Sequence, residues 1–151
     1  MKYIMLILLC VSVKSNAQQV YSFNQLDSLQ KIKHKNVFVF VHTDWCNYCK
    51  AMEEKVFKDP VIINLLTEQF YFVKLDAEEK ENLIYANRVF KFKPSLGFHE
   101  LATLLSGDSK NSLVFPSSYI INTKDEIISH INGFINSADL QKQLKFYALK
   151  N

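Results

Sequence analysis

The sequence predicts an α/β fold in which a central mixed β-sheet is flanked by helices. Three observations carry this. The run Val37-Phe38-Val39-Phe40-Val41 is β-branched, aromatic and uncharged, which is the signature of a buried strand. After residue 49 the apolar spacing turns helical, with Met52, Val56 and Phe57 on one face. Near the C-terminus Pro116 leads into the apolar run Tyr119-Ile120-Ile121, a polar turn at 123–126 and a second run at 127–131, which reads as a hairpin. Strands separated by helices, then a hairpin and a last helix, pack as a layered α/β sandwich.

The elements come in order. Met1-Lys2 gives a positive start, Tyr3 to Val13 is apolar, and Ser15-Asn16-Ala17 puts small residues before a cut at Gln18. This is a signal-peptide pattern, so 1–17 is expected to be removed and 18–151 to be one domain. The apolar run is short for a membrane span, although an uncleaved anchor is the alternative reading. Residues 18–23 read as a short strand or extended lead-in. Asn24 reads as an N-cap, followed by helical spacing at Leu26, Leu29 and Ile32. Lys31, Lys33, His34 and Lys35 suit the C-terminal end of that helix. Asp59-Pro60 reads as an N-cap and first-turn proline, and Phe70 to Leu75 as a second buried strand closed by Asp76. Residues 79–90 predict a helix, with Leu83, Ile84, Ala86, Asn87 and Phe90 along one face. Ser137 is the expected N-cap of a C-terminal helix carrying Leu140, Leu144 and Tyr147.

Composition sets the class. The chain has 151 residues, 48% hydrophobic, with only three Gly and three Pro, so it builds a packed core and not a disordered chain. The formal charge is +3, but Lys2 and Lys14 leave with the signal, so 16 basic residues face 15 acidic ones and the net is +1. No nucleic-acid footprint is implied. Of three cysteines, Cys10 also leaves. Cys46 and Cys49 remain, both in one motif, so there is no separate disulfide framework.

That motif carries the chemistry. His42-Thr43-Asp44-Trp45-Cys46-Asn47-Tyr48-Cys49-Lys50 places Cys-x-x-Cys where a buried strand ends and a helix begins. A helix N-terminus offers free N–H groups and partial positive charge, and both favour a thiolate. Cys46 is the expected nucleophile. Cys49, one turn on and more buried, is placed to resolve a mixed disulfide. The alternatives are a structural disulfide or half of a zinc site. Zinc wants four ligands, and His34, His42, His99 and His130 lack ligand spacing, so no metal is expected.

The segment Asp44 to Lys50 resembles the active site of thioredoxin-like proteins. Its continuation, Glu53-Glu54-Lys55-Val56-Phe57-Lys58-Asp59-Pro60-Val61, resembles the periplasmic branch that includes the C-terminal domain of the thiol:disulfide interchange protein DsbD. The resemblance covers about residues 20–150. It implies a thioredoxin fold with a cis-proline facing the cysteines. Pro94 and Pro116 compete for that place. Phe98 to Leu105 looks helical, whereas Pro116 is followed by a strand, so Pro116 is assigned as the cis-proline and 93–114 as a helical insertion before it. The resemblance further implies a substrate groove formed by Trp45, Asn47, Tyr48, Phe115 and Pro116, with Phe115 presenting backbone groups to an incoming peptide.

One departure stands out. Proteins of this family carry a buried aspartate six residues before the first cysteine, and here that position is Phe40. Proton transfer from Cys49 must then use water, Lys74 or a carboxylate such as Glu53 or Glu54. Lys50 is a further candidate for thiolate support. His99-Glu100 reads as the polar, water-facing part of the insertion helix. Taken together, the expectation is an exported protein-disulfide oxidoreductase, periplasmic or secreted, acting as a reductase fed by a thiol electron donor. Its partners are protein thiols and disulfides, and it needs no organic cofactor because the dithiol is the redox group. A monomer without stable membrane association after signal cleavage is expected. The alternative is a thioredoxin-fold binding or chaperone module that holds clients without redox turnover.

Overall fold

The computed structural model describes residues 18–107 and 113–150. The expected signal segment with Cys10, and residues 108–112 of the expected insertion, lie outside the described residues. In chain order come α1 (Phe23–Ile32), β1 (Asn36–His42), α2 (Asn47–Ala51) running into a π-helical turn (Met52–Val56), α3 (Pro60–Gln69) and β2 (Phe70–Asp76). Next are β3 (Leu83–Tyr85), β4 (Arg88–Phe90), β5 (Phe92–Lys93), β6 (Phe98–His99), α4 (Glu100–Leu105), β7 (Ser117–Ile121), β8 (Ile127–Asn132) and α5 (Ser137–Ala148).

The main sheet has the order β2-β1-β7-β8, with β1 and β2 parallel and the other pairs antiparallel. Alternation along β1 divides the core. Val37, Val39 and Val41 face a layer built from Phe23 and Leu26 of α1 and from Leu101, Ala102 and Leu105 of α4. Phe38 and Phe40 face the opposite layer, with Met52, Val56, Phe57, Ile62, Leu66, Leu140 and Leu144. A strand buried on both faces can be apolar at every position, which is why the 37–41 run has no polar break. The lead-in at 18–22 makes one parallel bridge, from Tyr21 to Val73 of β2.

Helix termini obey local chemistry. Asp59 accepts from the N–H groups of Val61 (2.8 Å) and Ile62 (3.3 Å), with Pro60 at the first turn. Two expected caps are displaced by one or two residues. The N-cap of α1 is Ser22, whose N–H and hydroxyl both reach Gln25 Oε1 (2.9 and 3.2 Å), while Asn24 lies inside the helix. The N-cap of α5 is Asn136, which accepts from the Asp139 N–H at 2.9 Å, and Ser137 is the first helical residue.

The expected helix over 79–90 is not there; β3 and β4 form a hairpin instead. Ala86 and Asn87 have φ of 50° and 57°, the consecutive left-handed pair of a two-residue type I′ turn. Their N–H groups donate to the Asp27 carboxylate at 3.2 and 3.3 Å, and the Ile84 N–H donates to Asn24 Oδ1 at 2.6 Å. Side chains of α1 therefore hold the hairpin, and Tyr85 and Phe90 bury against the α1 layer. The apolar residues that mimic helical spacing belong to two short strands of period two.

Within 93–114, β5 and β6 make a second hairpin before α4. His99 is not water-facing as expected. It is fully buried and caps α4, its Nδ1 accepting from the Leu101 N–H at 3.2 Å. Its own N–H donates to the Ala77 carbonyl at 2.6 Å, which ties the hairpin to the end of β2. Burial pushes its basicity down, against the opposing pull of the Glu81 backbone carbonyl and the Glu79 and Glu100 carboxylates. His130, stacked on Tyr119, is pushed down by burial as well.

A histidine less basic folded than unfolded binds its proton preferentially in the unfolded chain. The stability it contributes is complete above the unfolded value of about 6.5 and is lost as pH falls below it. Urea unfolding midpoints are therefore expected to hold from neutral pH down to that value and then drop. His99→Asn, which keeps a cap acceptor, is expected to flatten the drop; an unchanged pH profile would show that His99 does not cause it.

Candidate active site

The site forms where the carboxyl ends of β1 and β2 meet the start of β7. After His42 the chain turns through Thr43, whose carbonyl accepts from the Cys46 N–H at 3.2 Å. Cys46 is the N-cap of α2, and its Sγ accepts from the Cys49 N–H at 3.0 Å. Cys46 and Cys49 are joined in a disulfide with their Cα atoms 5.2 Å apart. Cys46 is 5% exposed and Cys49 1%, so Cys49 is the more buried of the two. The regular part of the helix is short. A π-helical turn begins at Met52, with the Phe57 N–H reaching back to the Met52 carbonyl at 2.9 Å. Such a turn adds one residue to the helix and rotates the side chains beyond it.

Around the disulfide the surface is aromatic. Trp45 is 60% exposed and meets Phe115 edge-on, ring centroids 5.7 Å apart. Phe115 in turn meets Phe98 of the second hairpin at 5.6 Å. On the other side Tyr48, 68% exposed, approaches Phe134 at 6.4 Å. The Phe115–Pro116 peptide bond is cis, and the Pro116 carbonyl accepts from the Gly133 N–H at 2.8 Å. Trp45 and Phe115 are thus brought together, Phe115 packing on the cluster that holds Cys46 with Pro116 next in the chain, while Asn47 and Tyr48 are exposed at the start of α2. Phe98 and Phe134 join this surface, although spacing around the motif gives no signal for either. In the sequence Phe98 looks like part of a helix, and Phe134 is simply the residue after a glycine.

Beneath α2, one row of side chains crosses the sheet. Register places Lys74 of β2 beside Phe40 of β1, and Phe40 beside Ser118 of β7. All three positions face the layer that holds Cys46 and Cys49, since Phe38, Phe40, Phe72 and Ile120 do. Phe40 is fully buried. Lys74 Nζ pairs with Glu53 Oε1 at 2.6 Å, both side chains about one-third exposed (32% and 33%). Glu53 lies four residues after Cys49, so the carboxylate reaches this row from the helix and not from β1. Lys50 is exposed and takes no part in the pair. The hydroxyls of Thr43 and Ser118 are buried without a hydrogen-bond partner among the described residues. Sequence reasoning misses Ser118; its only signal is a polar residue inside an apolar strand. Among the described residues, no three His, Cys, Asp or Glu side chains group to hold a metal ion.

The architecture has counterparts among known proteins. The family model described as Thioredoxin-like matches residues 24–97. No curated protein matches the chain in sequence. Similar solved structures include a thioredoxin from Thermus thermophilus, 20% identical, covering 87% of this chain and 88% of that one, with a TM-score of 0.65. They include the DsbH oxidoreductase, 18% identical, covering 87% and 84%, with a TM-score of 0.58. The reduced C-terminal domain of DsbD from Neisseria meningitidis is 19% identical, covering 80% and 89%, with a TM-score of 0.55.

An ion pair as exposed as Lys74–Glu53 is worth roughly 0–1 kcal/mol. Glu53→Gln is therefore expected to lower the urea-unfolding free energy by less than about 1 kcal/mol. A loss of several kcal/mol would mean that the pair is structural.

Proposed function

We propose that this chain, which has the thioredoxin fold and a thioredoxin-like domain, is an exported protein thiol–disulfide oxidoreductase working as a reductase. The observation that carries the reading is the Cys46–Cys49 disulfide at the start of α2, beside Trp45 and the Phe115–Pro116 bond. The pair is the redox group, so no organic cofactor is required. The signal-like segment 1–17 supports export, and among the described residues no helix is long and apolar enough to cross a membrane. The DsbD-like continuation after Cys49 supports the reductase direction.

The reaction begins when the Cys46 thiolate attacks one sulfur of a partner disulfide, and the other partner sulfur leaves with the electron pair. Cys49 gives its proton to Glu53, which Lys74 holds in place of the carboxylate missing at position 40. The Cys49 thiolate attacks Cys46 Sγ and releases the second partner thiolate, which takes up a proton. Two electrons have moved to the partner, and Cys46–Cys49 is left as the disulfide seen here. A thiol protein of lower potential restores the dithiol. Lys50 remains as solvent-side support for the thiolate. Glu53, partly exposed, returns its proton to water.

The roles are tested by trapping. Cys49→Ser is expected to accumulate a mixed disulfide with protein partners, and Cys46→Ser to form none. If the double Cys→Ser variant keeps full activity in cells, the protein is a binding module and the enzyme reading fails. Glu53→Gln is expected to slow resolution of the mixed disulfide on the order of 100-fold and to move its pH profile upward. Equilibration with glutathione is expected to place the pair toward the reducing end of the roughly −270 to −120 mV span of such dithiols. A value at the oxidising end would make it a disulfide donor.

A further inference from the structure

We infer that the Ser118 hydroxyl is the hydrogen-bond donor that holds the Cys49 sulfur as a thiolate once the Cys46–Cys49 disulfide is open. The inference rests on the redox reading above and assigns that site a further residue. Ser118 is 1% exposed, and its Oγ has no hydrogen-bond partner among the described residues. A buried hydroxyl without a partner costs free energy, so one retained in a core calls for a reason.

Its neighbours narrow the choice of partner. Strand alternation sends Tyr119 and Ile121 to the α1 layer and Ser118 with Ile120 to the cysteine layer. Across the sheet Ser118 is flanked by Phe40 on one side and Ile131 on the other. Its same-face neighbour along β7 is Ile120, and Pro116 stands just before the strand. None of these side chains carries an acceptor. The backbone of β7 is committed to ladders on both edges. The layer above the row contains Cys46 and Cys49, the latter 1% exposed and in the same buried cluster as Phe40. Among the buried members of that cluster the side-chain acceptors are the sulfurs of Cys46, Cys49 and Met52, and the Glu53 carboxylate lies across Phe40, held by Lys74. Neighbouring Ser117 is spent otherwise, donating to the Val114 carbonyl.

A disulfide sulfur is a poor acceptor, whereas a thiolate is a strong one and a charge-assisted bond to it is correspondingly stronger. The hydroxyl is therefore poorly served in the oxidised state and satisfied once the disulfide is open and Cys49 gives up its proton. The serine does not take the proton. Glu53 receives it from Cys49, and the Ser118 O–H donates to the sulfur left behind. Two polar groups then flank Phe40, Lys74 with its carboxylate on one side and Ser118 on the other. This device favours the reduced form, and its removal favours the disulfide.

The test uses the full chain. In a Cys46→Ser background the Cys49 thiol is titrated by its ultraviolet thiolate absorbance, with Ser118, Ser118→Ala or Ser118→Thr. Alanine is expected to lower the thiolate fraction at fixed pH about tenfold, and threonine, which keeps the hydroxyl, to restore it. With both cysteines present, Ser118→Ala is expected to shift the equilibrium with glutathione about tenfold toward the disulfide, which is about 30 mV. The melting temperature of its reduced form should fall while that of the oxidised form holds or rises. A variant that lowers both forms equally and leaves the Cys49 titration in place overturns the proposal. So does a Thr43→Val variant that produces the shift when Ser118→Ala does not. If the wild-type pair fails to exchange with glutathione, the redox reading falls, and the Cys49 titration still decides the role of Ser118.

Discussion

The pairing of β1 with β2 on one edge and β7 on the other is the constraint on which the rest of this structure depends. β1 is buried on both faces, so its two-residue alternation is recorded in two separate cores. Slipping either pairing by one residue would send the phenylalanines into the valine layer, and burial on both sides forbids it. The same register that sorts the core brings Lys74, Phe40 and Ser118 into one row under the disulfide. Stability and chemistry are set by a single alignment. The parallel β1–β2 pair also explains why the site is where it is. Both strands end together at His42 and Asp76, and the chain leaving β1 has only a short turn before α2 starts at the cysteine.

Position 40 shows how the two demands are balanced. Fully burying a phenylalanine is worth about 1.5–3 kcal/mol relative to leaving it exposed. A carboxylate in the same place would face the desolvation cost of a buried charge. Phe40 meets Phe57 at 4.8 Å, and Phe57 meets Phe72 at 5.2 Å, so the apolar choice is built into an aromatic cluster and is not an isolated substitution. The polar groups of the site are displaced sideways, to the partly exposed ends of Lys74 and Glu53 and to the neutral Ser118. Each of those positions carries polarity at lower cost than the centre of the row.

Much of this is legible in the sequence because it is written in period and punctuation. The buried run 37–41, the strand at 70–76, the Asp59-Pro60 helix start and the hairpin after Pro116 all combine a hydrophobic period with a breaker residue. The helix expected over 79–90 fails because five apolar or small residues at helical spacing also fit two short strands. The deciding fact is the left-handed pair Ala86-Asn87, held by Asp27 from 59 and 60 residues away, and no local pattern contains that contact. His99 looks like polar surface because a histidine beside a glutamate looks hydrophilic; its burial depends on the hairpin, which local spacing does not reveal. Ser118 is hidden for a different reason. A serine in a strand is ordinary until the register shows which layer it faces.

The second hairpin connects these elements to the site. His99 joins three parts at once: its N–H reaches the Ala77 carbonyl just after β2, its ring caps α4, and its predecessor Phe98 touches Phe115. Phe115 meets Trp45, the residue before Cys46. One wall of the aromatic surface is therefore anchored to the same end of β2 that carries Lys74 and Asp76. The aromatic surface and the polar row are thus both tied to the carboxyl end of β2. The second hairpin extends this aromatic surface outward from Phe115, and none of its residues belongs to the row of Lys74, Phe40 and Ser118. A change confined to the hairpin would thus alter the aromatic surface beside Trp45 without replacing any residue of that row.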